Sequence, residues 1–192
     1  MPKTARYTRE EILDIAYTMV REEGIESISA RNLAKRMNTS TAPIFTAFSS
    51  IDEIISELAR RAQTLYTSYI SEGLSDPLPF KGAGMKYIEF ARREPKLFKF
   101  LFMSDNTYVK DTGYLPGGDS NEERVRNKLE VSHRIDNDTA KRIYNHLSIY
   151  AHGLAVLYAG QNSVFSDEEI SRLMSEAFMS FKEYFKEDNQ GE

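Results

Sequence analysis

Apolar residues recur at spacings of three and four along nearly the whole chain, and no stretch alternates apolar with polar as a half-buried strand would. That periodicity predicts an all-α protein of about nine helices. Ile12, Ile15, Ala16 and Met19 form the first stripe, with Thr8 as N-cap and Gly24 as the stop. A short helix over 30–37 follows the cap Ser29, turns Leu33, Ala34 and Met37 inward, and is interrupted by Asn38-Thr39-Ser40. A third is expected over 41–47, where Pro43 is tolerated because it lies in the first turn. A long helix then runs over 51–71 and is closed by Ser75-Asp76-Pro77. Five more are expected near 79–93, 95–103, 120–133, 137–160 and 167–187, with a polar, glycine-containing loop over 106–119.

Composition acts mainly by exclusion. The 192 residues, 41% hydrophobic and 28% charged, are enough for a sizeable core. No cysteine is present, which removes disulfides, thiolate metal sites and cysteine nucleophiles. No apolar run reaches the roughly 18–20 residues that span a bilayer, and the opening MPKTARYTR has no apolar signal core. A cytoplasmic protein without membrane contact is expected. The net charge of −4 does not advertise nucleic-acid binding, and neither do the first 60 residues, with eight Lys/Arg against nine Asp/Glu. The local exception is Lys3, Arg6 and Arg9, three cations ahead of the first acid, readable as a phosphate-tracking arm or as a solvated tail.

Three short helices around one small core, the second and third joined by a tight turn, are the plan of a helix-turn-helix. The residues that carry it are Gly24-Ile25, Ile28-Ser29, Arg31, Leu33-Ala34, Met37-Asn38, Ser40, Ile44-Phe45, Phe48 and Asp52-Glu53-Ile54. Over roughly 8–60 this pattern resembles the DNA-binding segment of TetR-family repressors. In that arrangement Leu33, Ala34, Ile44 and Phe48 are core, and Ser40 caps helix three. Thr39, Thr41, Ala42 and Thr46 face the major groove, Phe45 lies on the sugar-phosphate backbone, and Arg31 and Ser49 are further DNA contacts. The chain departs from the family at Phe45 (often tyrosine), Asn38 (often glycine), Ile51 (commonly a phosphate-binding lysine) and Ala47 (often aromatic). Its reading helix carries no charge, which implies readout through threonine hydroxyls, thymine methyls and DNA shape.

The resemblance implies two domains: 1–50 for DNA binding, and 51–192, larger, antiparallel and helical, for effector binding and dimerisation. The helix over 51–71 joins them. Beyond about residue 75 the likeness rests on Tyr87-Ile88-Glu89-Phe90-Ala91, on Pro95, Leu97-Phe98 and Leu101-Phe102, and on His152-Gly153-Leu154-Ala155. The aromatic density there favours an apolar or aromatic effector near Tyr66, Phe90, Phe98, Phe102, Tyr108 and Tyr150. The eighth helix has two non-polar faces; Tyr144, Ala151, Ala155 and Tyr158 from one of them, with Met174, Phe178 and Phe181 of the ninth, are the expected homodimer interface.

No nucleophile–base pair, phosphate loop or dinucleotide fingerprint is visible, and His133, His146 and His152 suggest no metal site. The chain is expected to be no enzyme and to need no cofactor or metal. The leading expectation is a repressor that binds a double-stranded operator as a homodimer and leaves it on binding a small molecule. A helical enzyme or carrier, and an adaptor that keeps the fold without DNA affinity, are the alternatives that the sequence leaves open.

Overall fold

A computed structural model of the chain describes residues 7–104, 120–160 and 165–188. These residues form nine α-helices and one 3-10 turn: α1 (Arg9–Glu23), the turn Ile25–Ser27, α2 (Ala30–Arg36), α3 (Ala42–Ala47), α4 (Ile51–Gly73), α5 (Pro79–Arg93), α6 (Pro95–Phe102), α7 (Ser120–His133), α8 (Asn137–Ala159) and α9 (Asp167–Asp188). The all-α class holds, and the helices expected as explicit ranges start and stop within two residues of expectation. The loop expected over 106–119 lies outside the described residues.

The described residues fall into two compact units. The first holds 7–63 with 96–104, and the second holds 64–95, 120–160 and 165–188. The boundary expected at 50 therefore shifts: α4 contributes to both units, dividing after Gln63, and most of α6 joins the first. Periodicity shows that α4 buries a stripe, but not which neighbour each part of the stripe meets.

In the first unit, Ile12, Ala16, Leu33, Ile44, Ile54 and Leu58 have no exposed surface, and Ala34 and Phe48 are buried with them, as expected. Thr8 and Glu11 cap α1 reciprocally, and Gly24 ends it at φ 98 with its N–H on the Val20 carbonyl. Ser29 caps α2 through the Asn32 N–H. After α2 the chain turns at Asn38, whose φ of 52 is the left-handed conformation asparagine tolerates.

In the second unit α5 packs against α7, α8 and α9, and α8 packs against α9. Leu129, Ala140, Ile143, Leu147 and Phe185 form one buried cluster there, flanked by Phe80, Ile135, Ala177, Phe178 and Phe181. The end of α4 meets the start of α5 backbone to backbone. A Cβ on Gly82 would lie 2.2 Å from the Gly73 carbonyl oxygen, so both positions need glycine.

Candidate nucleic-acid interface and internal cavities

The helix expected to read DNA, α3, is six residues long, and α2 before it is seven. Helices this short do not persist alone in water. Their buried sides hold them, and so does a set of polar ties. The Tyr7 hydroxyl donates to the Met37 carbonyl at 2.7 Å. The Arg9 guanidinium donates to the Ala47 carbonyl at 3.0 Å and to Glu53 at 2.8 Å, reaches Glu57 at 3.3 Å, and lies 4.1 Å over the Phe48 ring. Arg61 joins α4 to α1 through Asp14 at 2.7 Å and Glu10 at 2.5 Å. Arg9 is thus a structural tie across the end of α3, and its expected place in a phosphate-tracking arm is corrected. Lys3 and Arg6 lie outside the described residues.

With the apolar side of α3 buried, its other side is presented outward. Ser40, Thr41, Ala42, Thr46 and Ser49 are exposed, Thr39 is half-buried, and Phe45 leaves 53% of its surface open. Ala42, Phe45 and Thr46 share one face by helical spacing. The Thr46 hydroxyl already donates to the Ala42 carbonyl at 2.9 Å, which leaves its lone pairs and methyl to face outward. Ser49 gives its hydroxyl and backbone N–H to Glu53, both at 2.7 Å. Those two bonds, more than the Arg9 guanidinium, hold the Glu53 carboxyl down at about 2.

Ser40 does not cap α3 as expected. Thr41 is the N-cap and makes no side-chain cap bond, and Ser40 Oγ only accepts the Ala42 N–H at 3.4 Å. Arg31 is exposed on α2. Lys35, which the sequence reading passed over, is exposed one turn further along the same helix face. The chemistry on display is hydroxyls, methyls and one aromatic ring, flanked by two cations.

The second unit encloses a cavity of about 40 Å³ whose walls include Tyr66, Phe80, Tyr87, Asn121, Tyr144, Ser148, Ala151 and Met174. No charged side chain lines it. Two of its polar groups have partners outside the lining: the Tyr87 hydroxyl lies 2.8 Å from His152 Nδ1, and the Asn121 side-chain amide oxygen accepts from Arg124 at 3.1 Å. Burial lowers the His152 pKa, so the ring is neutral at pH 7.

Of the five described residues among the six expected at an effector site, only Tyr66 lines this cavity. Phe90 is buried and packs its ring against Tyr66 at 5.7 Å and Tyr69 at 5.4 Å. Phe98 and Phe102 belong to the first unit, where their rings lie 5.2 Å apart. Tyr150 is half-exposed, about 100° round α8 from the lining positions Tyr144, Leu147, Ser148 and Ala151. Tyr108 lies outside the described residues.

The face of α8 expected at a dimer interface faces inward instead. Tyr144, Ala151 and Ala155 are buried, as is Met174 of α9. Phe178 packs on Phe80 and His133, Phe181 packs on the buried cluster, and the Tyr158 hydroxyl donates to the Phe165 carbonyl. Both non-polar faces seen in the sequence are largely used within the chain. The apolar strip that α8 leaves exposed is Ile149, Gly153 and Leu157, the last of them at the edge of one non-polar face, with Val156 half-buried beside it. A Cβ on Gly153 would meet nothing within 4 Å.

No helix of the described residues is long and apolar enough to cross a membrane. No family model matches the chain, and no match is found among curated proteins.

Proposed function

We propose that the protein is a DNA-binding transcriptional regulator of TetR type, a cytoplasmic homodimer without enzymatic activity that represses by occupying an operator and is released by a small effector. One observation carries the reading: Phe45, a large aromatic, is 53% exposed on a short helix that Ile44 and Phe48 anchor in the core. An aromatic held out on a rigid short helix suits stacking against a sugar-phosphate backbone, with Thr41, Ala42 and Thr46 beside it for base edges. The residue pattern over 8–60 supports the same conclusion.

The effector part of the reading rests on the uncharged cavity beside Tyr66. At about 40 Å³ it has room for little more than water, so an entering molecule has to displace Phe80 or Met174. Dimerisation rests on the strip Ile149-Gly153-Leu157. A glycine in mid-helix costs about 1 kcal/mol against alanine, and nothing among the described residues uses the missing Cβ. Close approach of a second α8 uses it.

Selection of fragments from a random duplex pool, followed by titration across salt, is the test. A retained sequence whose affinity falls steeply between roughly 50 and 200 mM salt supports the regulator. Absence of retained duplex, or salt-independent binding, overturns it and leaves the adaptor.

A further inference from the structure

A second and larger cavity, about 230 Å³, opens between the start of α5, the end of α7 and the middle of α9. Leu78, Phe80, Met174, Phe178 and Met179 give it apolar walls. Phe80 and Met174 also line the smaller uncharged cavity and are the wall the two share. The volume exceeds the roughly 150 Å³ that accommodates one benzene ring in an apolar protein cavity.

The ionisable groups at this cavity are of one sign. Lys81 and His133 line it. The Lys182 ammonium lies 5.9 Å from the Phe178 ring, one turn along α9. The His133 ring stacks on Phe178 at 4.6 Å, and its pKa is lowered first by burial and then by Lys182. No acid is among the described lining residues; Asp76, two residues before Leu78, accepts the Leu78 N–H at 2.8 Å. Neither Lys81 nor Lys182 makes a salt bridge among the described residues, whereas Lys86, five positions along from Lys81, is held by Glu72 and Glu89. An apolar chamber flanked by two lysines with no salt bridge among the described residues disfavours a cationic guest and holds an anionic end more strongly than a neutral one. It suits a molecule with one anionic end.

We propose that this cavity binds an amphipathic monocarboxylate, its carboxylate held between Lys81, Lys182 and the His133 ring N–H and its alkyl or aryl body lying on Phe80, Met174 and Phe178. The body points at the wall shared with the uncharged cavity, so a longer chain displaces Met174 and enters the space beside Tyr66. As the signal the protein senses, this molecule rests on the regulator reading; as a ligand it does not.

Calorimetry on the DNA-free protein separates the two. Octanoate is the probe, and 1-octanol, the same chain without the charge, is its control. Octanoate is expected to bind at least about tenfold more tightly than octanol, and the margin should shrink as salt rises. The Lys81→Gln/Lys182→Gln double variant changes only partly exposed side chains and should melt like the parent. In it octanoate falls to the affinity of octanol, while octanol binding is unchanged. Met174→Trp, which fills the chamber, should weaken both. Equal binding of octanoate and octanol to the parent, or octanoate affinity untouched in the double variant, overturns the assignment. Octanoate binding that leaves duplex affinity unchanged upholds the site and removes only its role in release.

Discussion

The two units hold themselves together in different ways. The first has short helices, and it compensates with a fully buried core and polar ties around the outside: Tyr7 to Met37, Arg9 to Ala47, Glu53 and Glu57, Arg61 to Glu10 and Asp14. The second has helices of up to 23 residues, is tied as well by Lys86 to Glu72, Arg92 to Asp167 and Tyr87 to His152, and contains space beside flexible side chains such as Met174. A surface that has to fit a DNA groove gains from the first arrangement, because any looseness in α3 would have to be removed on binding. A chamber that has to admit a small molecule gains from the second.

The largest effects should come from charge placed on the two sides of α8. Ala155 has no exposed surface, so Ala155→Glu buries an unpaired carboxylate and should cost about 3–5 kcal/mol, unfolding much of the protein. Gly153→Glu, two residues away on the open strip, should leave the far-ultraviolet circular dichroism intact and yield monomers by light scattering. A Gly153→Glu protein that remains dimeric would remove this strip from the interface.

Core truncation compares the interiors directly. Phe48 is buried in the first unit, so Phe48→Ala should cost about 3–5 kcal/mol in urea denaturation. Met174, beside two cavities, should accept Met174→Leu for less than about 1.5 kcal/mol. A loss well above about 1.5 kcal/mol on Met174→Leu would mean that the walls of these cavities do not adjust.

Two glycines of α5 sharpen the contrast within one helix. Gly82→Ala forces a Cβ onto the Gly73 backbone and should destabilise by about 1–3 kcal/mol. Gly84→Ala meets only the Met174 tip, which has a cavity to move into, and should raise stability by about 0.5–1 kcal/mol.

The smallest effect is electrostatic and belongs to the first unit. The Glu53 carboxyl sits at about 2 rather than 4.5, so it favours the folded state above 4.5, and that contribution is lost as pH falls toward 2. Thermal melts of Glu53→Gln across this window should show a shallower loss of stability than the parent. Identical slopes would mean that the bonds from Ser49 and Arg9 do not persist in solution.

What the sequence made legible follows from how far each signal reaches along the chain. Helix ends were legible because caps act over three or four residues: Thr8 with Glu11, Ser29 with Asn32, Gly24 and Asn38 at positive φ. The core of the first unit was legible because Leu33, Ala34, Ile44 and Phe48 each sit on the single apolar stripe of a short helix. The role of Arg9 was not. Glu53 lies 44 residues away, and nothing local distinguishes a cation that will pair across the fold from one that stays solvated.

The same limit governs the cavities and the helix faces. Aromatic density predicted a pocket, but Tyr66 lines the small cavity while Phe98 and Phe102 belong to the other unit. Lys81, His133 and Lys182, on three different helices, came to one cavity only through the packing of α5, α7 and α9. By itself the sequence determined the class of fold, the place of each helix and the small core behind α3, because periodicity and capping are properties of neighbours. Only the tertiary structure decided that α8 turns most of its two evident apolar faces inward and leaves Ile149, Gly153 and Leu157 outside. A helix's apolar stripe records that a surface is covered, and the covering partner is chosen by packing between residues far apart in the chain.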